Sequence, residues 1–184
     1  DLQFLSDGYR IAYSKDDSAY LVSAGSPECV CTSSDGGTNS SCATSLNVDS
    51  ISQHLQNLNA ISLKYCNSGE CNSSVVHNIN DVDFVNMVSQ KNGLSSCVGL
   101  QNGKCGYFDE LVDIGSDYWY SSLYTGVNNV VFYWNSAKRV VDRSVSSSAF
   151  GIRPVIRMDS DVVVTGGDGS YENPYLIANN TFLG

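Results

Sequence analysis

The chain has 184 residues, 42% of them hydrophobic, and carries 19 acidic against 10 basic side chains, for a formal net charge of -9. That length suffices for one domain with its own core, while the acidic balance argues against a nucleic-acid partner and against adsorption to anionic membranes, since both require a basic surface. No apolar run approaches the ~20 residues that span a bilayer, so the residues shown are not expected to insert into a membrane.

Residues 1–106 are predicted to form a hairpin, two helices and loops closed by disulfides. The hairpin comes first, because apolar residues alternate or run together over 9–14 and 18–23, on either side of the turn-prone Lys15-Asp16-Asp17. The next segment, 25–43, is rich in Ser, Gly, Asp and Thr and contains three cysteines. Its composition predicts a loop closed by a disulfide.

Both helices are predicted in the middle of this half. Apolar residues recur at roughly helical spacing over 48–63, so the first helix is expected to begin at an Asn47 or Asp49 cap and to reach Cys66. A shorter second helix is expected to begin at the Asn80-Asp81 cap. Side-chain oxygens at these positions can accept the free backbone N–H groups of a first helical turn.

Seven cysteines are present, namely Cys29, Cys31, Cys42, Cys66, Cys71, Cys97 and Cys105. Their spacing contains no Cys-x2-Cys pair of the kind that binds zinc, and the two histidines stand alone. The pairs expected are Cys66 with Cys71, Cys97 with Cys105, and Cys42 with either Cys29 or Cys31, which leaves one cysteine over. Disulfides persist in oxidising compartments, so the mature protein is expected outside the cytoplasm.

Residues 107–184 are predicted to be rich in short strands. The strands are expected over 118–123, 130–134, 139–143, 151–158, 162–165 and 175–177. A strand pair, two helices and a strand-rich half together predict an α+β fold. No internal repeat and no linker interrupts the chain, so residues 1–184 are expected to form a single domain.

Three stretches of the second half occur together in one kind of bacterial surface domain. They are Asp117-Tyr118-Trp119-Tyr120-Ser121-Ser122, Phe150-Gly151-Ile152-Arg153-Pro154-Val155-Ile156-Arg157, and Thr165-Gly166-Gly167-Asp168-Gly169-Ser170-Tyr171-Glu172-Asn173-Pro174-Tyr175. The chain resembles, from Tyr107 to Ile177, the bacterial version of the C-type-lectin-like fold. That version is shared by formylglycine-generating-enzyme-like proteins and by the variable ligand-binding proteins of diversity-generating retroelements.

The resemblance implies a fold, a setting and two structural residues. It implies two helices, a mostly antiparallel twisted sheet, and first and last strands that lie side by side. Trp119 would be the buried tryptophan of the group, and Arg153 would be structural rather than ligand-binding. Such domains lie on the bacterial surface, sometimes as the head of a type IV pilin-like subunit of Gram-positive bacteria. The protein is therefore expected to be extracellular or displayed on the cell surface.

The candidate binding site is the aromatic and amide-rich segment 118–148. Its flat apolar rings and directional amides suit a carbohydrate or the edge of a peptide. Strand alternation allows only two of the residues 131–134 to face inward, so either Tyr133 or its neighbours Phe132 and Trp134 should be exposed. The residues expected to bind ligand are Tyr124, Asn128, Asn129 and Tyr133.

Metal binding and catalysis are both weaker hypotheses. Asp159, Asp161 and Asp168 could be interpreted as calcium ligands, but their spacing is not that of an EF-hand and Gly-Gly-Asp-Gly is also a good turn, so no cofactor is expected. The formylglycine-generating relatives rely on a cysteine pair, and here no cysteine follows Cys105. His77 would lie in a loop with no evident partner.

We therefore expect a non-enzymatic extracellular domain for surface binding or adhesion, with a surface glycan or a protein as ligand. The first alternative is a structural subunit, the pilin-like head of a surface filament, whose partners are copies of itself. The second alternative is an enzyme of the formylglycine-generating superfamily that lacks the cysteine pair.

Overall fold

A computed structural model describes residues 8–33, 44–47, 51–65, 75–92, 111–123, 130–145, 148–158, 163–169 and 172–178. These residues form two α-helices, α1 (Ile51–Ser62) and α2 (Asp81–Asn92). Their strands are β1 (Tyr9–Lys15), β2 (Ser18–Ser23), β3 (Cys29–Ser33), β4 (Thr44–Asn47), β5 (Val76–Asn78), β6 (Tyr118–Leu123), β7 (Val130–Asn135), β8 (Val140–Val145), β9 (Phe150–Gly151), β10 (Pro154–Met158), β11 (Val163–Gly166) and β12 (Leu176–Ala178). The chain is therefore α+β, as the sequence predicts.

A four-stranded antiparallel sheet has the order β1-β2-β10-β5. The predicted hairpin is confirmed as β1 and β2, and both residues of its turn, Asp16 and Asp17, have positive φ angles of 51° and 62°. Such a turn matches the right-handed twist of the flanking strands. Strand β10 comes from the second half of the chain and lies between β2 and β5, so the two halves share this sheet.

A second sheet of six strands has the order β4-β3-β9-β6-β7-β8. Its β3–β4 and β6–β9 pairs are parallel and the rest are antiparallel. Strand β3 lies inside the segment 25–43, which was wrongly predicted to be a loop throughout. The strand forms because distant partners pair with it on both sides, which local composition does not reveal. The described strands thus form several antiparallel-rich sheets rather than one.

The hairpin of β11 and β12 lies beside the start of β1. Tyr9 and Tyr175 exchange both backbone hydrogen bonds, at 2.9 and 2.6 Å, and the Ile11 N–H donates to the Gly169 carbonyl at 2.9 Å. Gly167 turns the chain with a φ of 81°, where an added Cβ would lie 2.0 Å from the Pro174 carbonyl oxygen. The first and last strands therefore lie next to each other, as expected.

Helix α1 differs slightly from the prediction at its end, whereas helix α2 begins where it was expected. Helix α1 ends at Ser62 and continues as a short 3-10 turn, Leu63–Tyr65. Of its predicted boundary residues, Asp49 and Cys66 lie outside the described residues, and so does the side chain of Asn47. Helix α2 begins where the Asn80-Asp81 cap predicts. Neither of these helices is long and apolar enough to cross a membrane.

The core consists of two clusters on opposite faces of β7. Val131 and Tyr133 belong to the cluster that includes α1, whereas Phe132 and Trp134 belong to the cluster that includes α2. All four side chains are buried. The expectation that Tyr133 or its neighbours would be exposed is therefore wrong, because β7 is an interior strand whose two faces are both covered.

Candidate functional site

The predicted ligand-binding residues do not form one described site. Tyr124, Asn128 and Asn129 lie outside the described residues, in the segment that connects the end of β6 at Leu123 with the start of β7 at Val130.

Tyr133 is buried, with 9% of its surface exposed. Its ring stacks on Phe150 at 4.0 Å and 8°, and its hydroxyl accepts a hydrogen bond from the Asn135 amide at 3.1 Å. We therefore correct its assignment from a contact residue to a core residue.

Trp119 is completely buried, and its indole N–H donates to the Val30 carbonyl at 2.8 Å. Its ring meets Phe150 edge-on at 4.7 Å. This hydrogen bond joins β6 to β3 across the intervening β9, so Trp119 holds the middle of the six-stranded sheet together.

Cys29 is disulfide-bonded. No other cysteine side chain belongs to the described part of the chain, so the pairings predicted for Cys42, for Cys66 with Cys71 and for Cys97 with Cys105 lie outside it.

The end of β6 is fixed to the connection between β5 and α2. The Ser121 N–H donates to the Ile79 carbonyl at 2.8 Å, and the Asn78 amide donates to the Ser121 hydroxyl at 3.0 Å. The next residue of β6, Ser122, accepts a hydrogen bond on its hydroxyl from the Asp81 N–H at 3.0 Å. The end of β6 is therefore held against the first turn of α2.

That first turn contains a reciprocal capping arrangement. The Asn80 side chain accepts the Asp83 N–H, and the Asp83 carboxylate accepts the Asn80 N–H, both at 3.0 Å. This is the geometry of a capping box, with Asp in the position usually held by Glu. It satisfies two of the backbone donors that a helix start leaves free.

Asp83 also joins two strands of the four-stranded sheet. Its Oδ1 accepts the Tyr13 hydroxyl at 2.5 Å, and its Oδ2 lies 2.6 Å from His77 Nε2. The carboxyl side chain is 1% exposed. A buried carboxylate needs donors of this kind, and here they come from β1, from β5 and from the cap of α2.

These contacts determine which nitrogen of His77 carries the proton. Burial first, and then the charge of Asp83, raise the pKa of the Tyr13 hydroxyl, so Tyr13 is protonated and donates to Asp83. The Asn80 N–H can only donate. A carboxylate that accepts both of these groups accepts from His77 as well, which places a hydrogen on Nε2.

The second ring nitrogen of His77, Nδ1, takes no part in the contact with Asp83. The His77 side chain is 20% exposed, and Nδ1 makes no hydrogen bond to the residues that the structure describes. Tyr20, which is partly exposed, stacks on Tyr13 at 4.6 Å and 7°. A partly exposed imidazole and a partly exposed phenol ring thus flank the Asp83 contacts, and together they could contact a bound molecule.

The prediction that His77 lies in a loop without a partner is wrong. It is the middle residue of β5, and Asp83 is its partner. The sequence does contain a signal for this contact, because the predicted Asn80 cap places Asp83 at the third helical position, where a carboxylate turns back toward the preceding residues.

The opposite end of β7 is held by Asp113. Its Oδ1 accepts hydrogen bonds from the Trp134 indole at 3.2 Å and the Ser136 hydroxyl at 2.9 Å, and Arg139 Nε lies 3.7 Å from Oδ2. Burial alone would raise the pKa of Asp113, but the hydrogen bonds from Gly115, Trp134 and Ser136 outweigh it, so the pKa is lowered. These groups fix the β7–β8 turn.

No group of three or more His, Cys, Asp or Glu side chains suited to a metal ion occurs among the described residues. Two of the three aspartates considered as calcium ligands, Asp159 and Asp161, lie outside that set.

Comparison of the chain with protein families, with curated proteins and with solved structures finds no match.

Proposed function

We propose that this protein is an extracellular, non-enzymatic binding or adhesion domain of the C-type-lectin-like kind, displayed on a bacterial surface. Its recognition surface is the segment 124–129, with Tyr124, Asn128 and Asn129 as contact residues. The ligand is a surface glycan or a protein. Tyr133 supports the surface from the core instead of touching the ligand.

One observation carries the proposal, namely the anchoring of the strand end from which that segment leaves. Ser121 and Ser122 are joined to the Asn78–Asp81 connection by three hydrogen bonds, of which they donate one and accept two, and β7 is buried on both faces. Binding residues are commonly placed on connections that a rigid scaffold positions. A fixed base also reduces the entropy lost when a ligand is bound.

Charge and cysteine chemistry favour the proposed location. The disulfide at Cys29 suits an oxidising compartment, and the net charge of -9 suits a soluble displayed domain. The partly exposed ring of His77 belongs to the same corner of the molecule, since Asp83 and Asp81 both lie in the first turn of α2. A ligand could therefore be contacted beside the segment as well as on it.

Binding can be tested with the labelled domain on printed arrays of glycans and of peptides. The test variant replaces Tyr124, Asn128 and Asn129 with Ala. We expect its affinity for any bound spot to fall roughly tenfold or more, because aromatic contacts dominate such interfaces. Its melting temperature should change little, since the three residues are proposed to act at the surface.

Lys138→Ala is the matched control, because Lys138 is exposed on the turn at the opposite end of β7. It should bind like the wild type. Equal binding by the triple variant and the wild type would show that the segment is not the recognition surface. An absence of binding to every glycan and peptide on the arrays would count against the binding function itself.

A filament subunit remains the alternative, and the position of β8 favours it. Among the described strands, β8 lies at an edge of the six-stranded sheet, and Val140 and Val141 are only partly buried. An edge strand can pair with another chain. Concentration-dependent self-association in sedimentation, with filaments in electron micrographs, would support this function over ligand binding.

The enzyme alternative is favoured only by the His77–Asp83 contact. A carboxylate that orients a histidine through one nitrogen leaves the other nitrogen able to accept a proton, as in acid–base catalysis. Hydrolysis of activated esters that disappears in His77→Gln would support it. A rate that is the same for both proteins would leave the dyad with a binding or structural role.

A further inference from the structure

Arg153 is a completely buried cation at the connection between β9 and β10. Its backbone N–H donates to the Asn78 side chain at 2.8 Å, and its Nε donates to the Ser23 carbonyl at 2.9 Å. Nη1 donates to the Tyr118 hydroxyl at 3.2 Å, and the guanidinium lies over the Tyr118 ring at 5.1 Å. Nη2 is buried and has no acceptor within the described structure.

These neighbours supply dipoles but no negative charge. Within the described ranges, no carboxylate comes within 4 Å of the guanidinium, although ion pairs at that distance occur elsewhere. A buried arginine is normally paired with an acid, because an uncompensated charge in the interior costs several kcal/mol. The charge of Arg153 therefore has no counter-charge among the residues that the structure describes.

Neither adjacent tyrosine can be that partner. The Tyr118 hydroxyl donates to the Val112 carbonyl at 2.7 Å, and it lies 3.1 Å from the Tyr120 hydroxyl. Burial raises the pKa of both phenols, and the opposing effect of Arg153 does not reverse this. Both tyrosines are therefore neutral, and the Tyr118 oxygen serves Arg153 only as an acceptor.

Asp83 and Asp113, the two acids that act electrostatically on these tyrosines, are engaged elsewhere. Asp83 accepts hydrogen bonds from Tyr13, His77 and the Asn80 N–H. Asp113 accepts hydrogen bonds from Trp134 and Ser136 and pairs with Arg139. Both act electrostatically on the tyrosines next to Arg153, but neither contacts the guanidinium. Their charges are matched by their own donors.

We propose that Arg153 Nη2 binds a small monovalent anion, with chloride as the physiological ligand, inside the core between the two larger sheets. The net charge of Arg153 selects an anion over water, because water would satisfy a donor without balancing the charge. Its complete burial selects a compact, monatomic ion, and the N–H groups of Nη2 are the donors. The site is separate from the proposed recognition segment and does not depend on it.

Anion binding to the native state raises stability by mass action. Thermal unfolding of the whole chain should be followed by circular dichroism in sodium gluconate, with chloride substituted stepwise at constant ionic strength. We expect a saturable increase in melting temperature of roughly 5–10 °C at chloride concentrations about a hundredfold above the dissociation constant. Bromide should replace chloride.

Two variants separate this site from general salt effects. Arg153→Met removes the buried cation and should abolish the chloride dependence. Arg143→Met makes the same substitution at an exposed arginine of β8 and should retain it. A chloride response of equal size in Arg153→Met, or no response in the wild type, would overturn the proposal.

A crystallographic measurement keeps the test decisive if Arg153→Met does not fold. Wild-type crystals soaked in bromide should show an anomalous peak within hydrogen-bond distance of Arg153 Nη2. Density at that position without anomalous signal would show water instead of an anion and would refute the assignment. An absence of any density there would refute it equally.

Discussion

The histidine buried in α1 predicts how stability depends on pH. His54 is completely buried, and its ring meets the Trp119 ring edge-on at 4.9 Å and 79°. Burial lowers its pKa from 6.5 to about 4, because the charged imidazolium would lose its hydration. The unfolded chain therefore binds a proton near pH 6.5, whereas the native protein does so only near pH 4.

The sign and size of the effect follow from this difference. Because the unfolded state binds more protons between these two values, acidification favours unfolding, and stability falls as the pH is lowered from about 6.5 toward about 4. Between pH 7.5 and pH 5, the contribution of His54 amounts to about 2 kcal/mol. The complete effect, reached below pH 4, is about 3 kcal/mol.

His54→Leu isolates this contribution, because leucine is neutral at every pH and close in volume. Urea unfolding, followed by tryptophan fluorescence with disulfides intact, should be measured for both proteins at pH 7.5 and pH 5. The loss of unfolding free energy on acidification should be about 2 kcal/mol smaller in the variant. An equal loss in both proteins, with unchanged m-values, would refute the claim that His54 is held neutral.

Two further substitutions test the core contacts. Asp83→Asn should lower the unfolding free energy measured in urea by about 3 kcal/mol, because the Tyr13 hydroxyl and the His77 N–H lose a charged acceptor. The double variant with Tyr13→Phe should lose at least about 1 kcal/mol less than the sum of the two single losses, and strict additivity would contradict this. Tyr133→Ala should cost ~3–5 kcal/mol, whereas Tyr133→Phe should cost less than about 1 kcal/mol. Thermal melts that rank these two variants equally would indicate an exposed ring.

Local sequence signals predict the elements whose partners are adjacent in the chain. The β1–β2 hairpin follows from alternation around Asp16 and Asp17, which adopt the positive φ angles that its turn requires. Helix α2 follows from the Asn80 cap, whose side chain does accept an N–H of the first turn. In both cases the stabilising contact lies within a few residues, so the pattern and the structure have the same cause.

Local sequence signals do not predict the elements that depend on distant partners. Strand β3 exists because β4 and β9 pair with it, and β9 is more than a hundred residues away. Its own residues, Cys29–Ser33, have no decisive alternation. Local patterns do not predict the number of sheets for the same reason. Strand β10 pairs with β2 and β5, which are distant in sequence, rather than with its neighbours in the chain.

The misassignment of Tyr133 has a different origin. Alternation correctly separates Tyr133 from Phe132 and Trp134, because they lie on opposite faces of β7. What alternation does not reveal is whether the second face is covered. Here α1 belongs to one cluster and α2 to the other, so both faces are buried and all these rings serve the core.

The burial of residues 131–134 of β7 limits where β6 and β7 could contact a ligand. Side chains on either face are enclosed, so contacts must be made at the strand ends. At one end, Asp113 uses its carboxylate to hold the indole of Trp134 and the turn that begins at Ser136. At the other end, hydrogen bonds join Ser121 and Ser122 to the Asn78–Asp81 connection. Under the proposed function, recognition by this part of the sheet is expected at the end marked by Leu123 and Val130, and a sequence change between them should alter binding far more than folding.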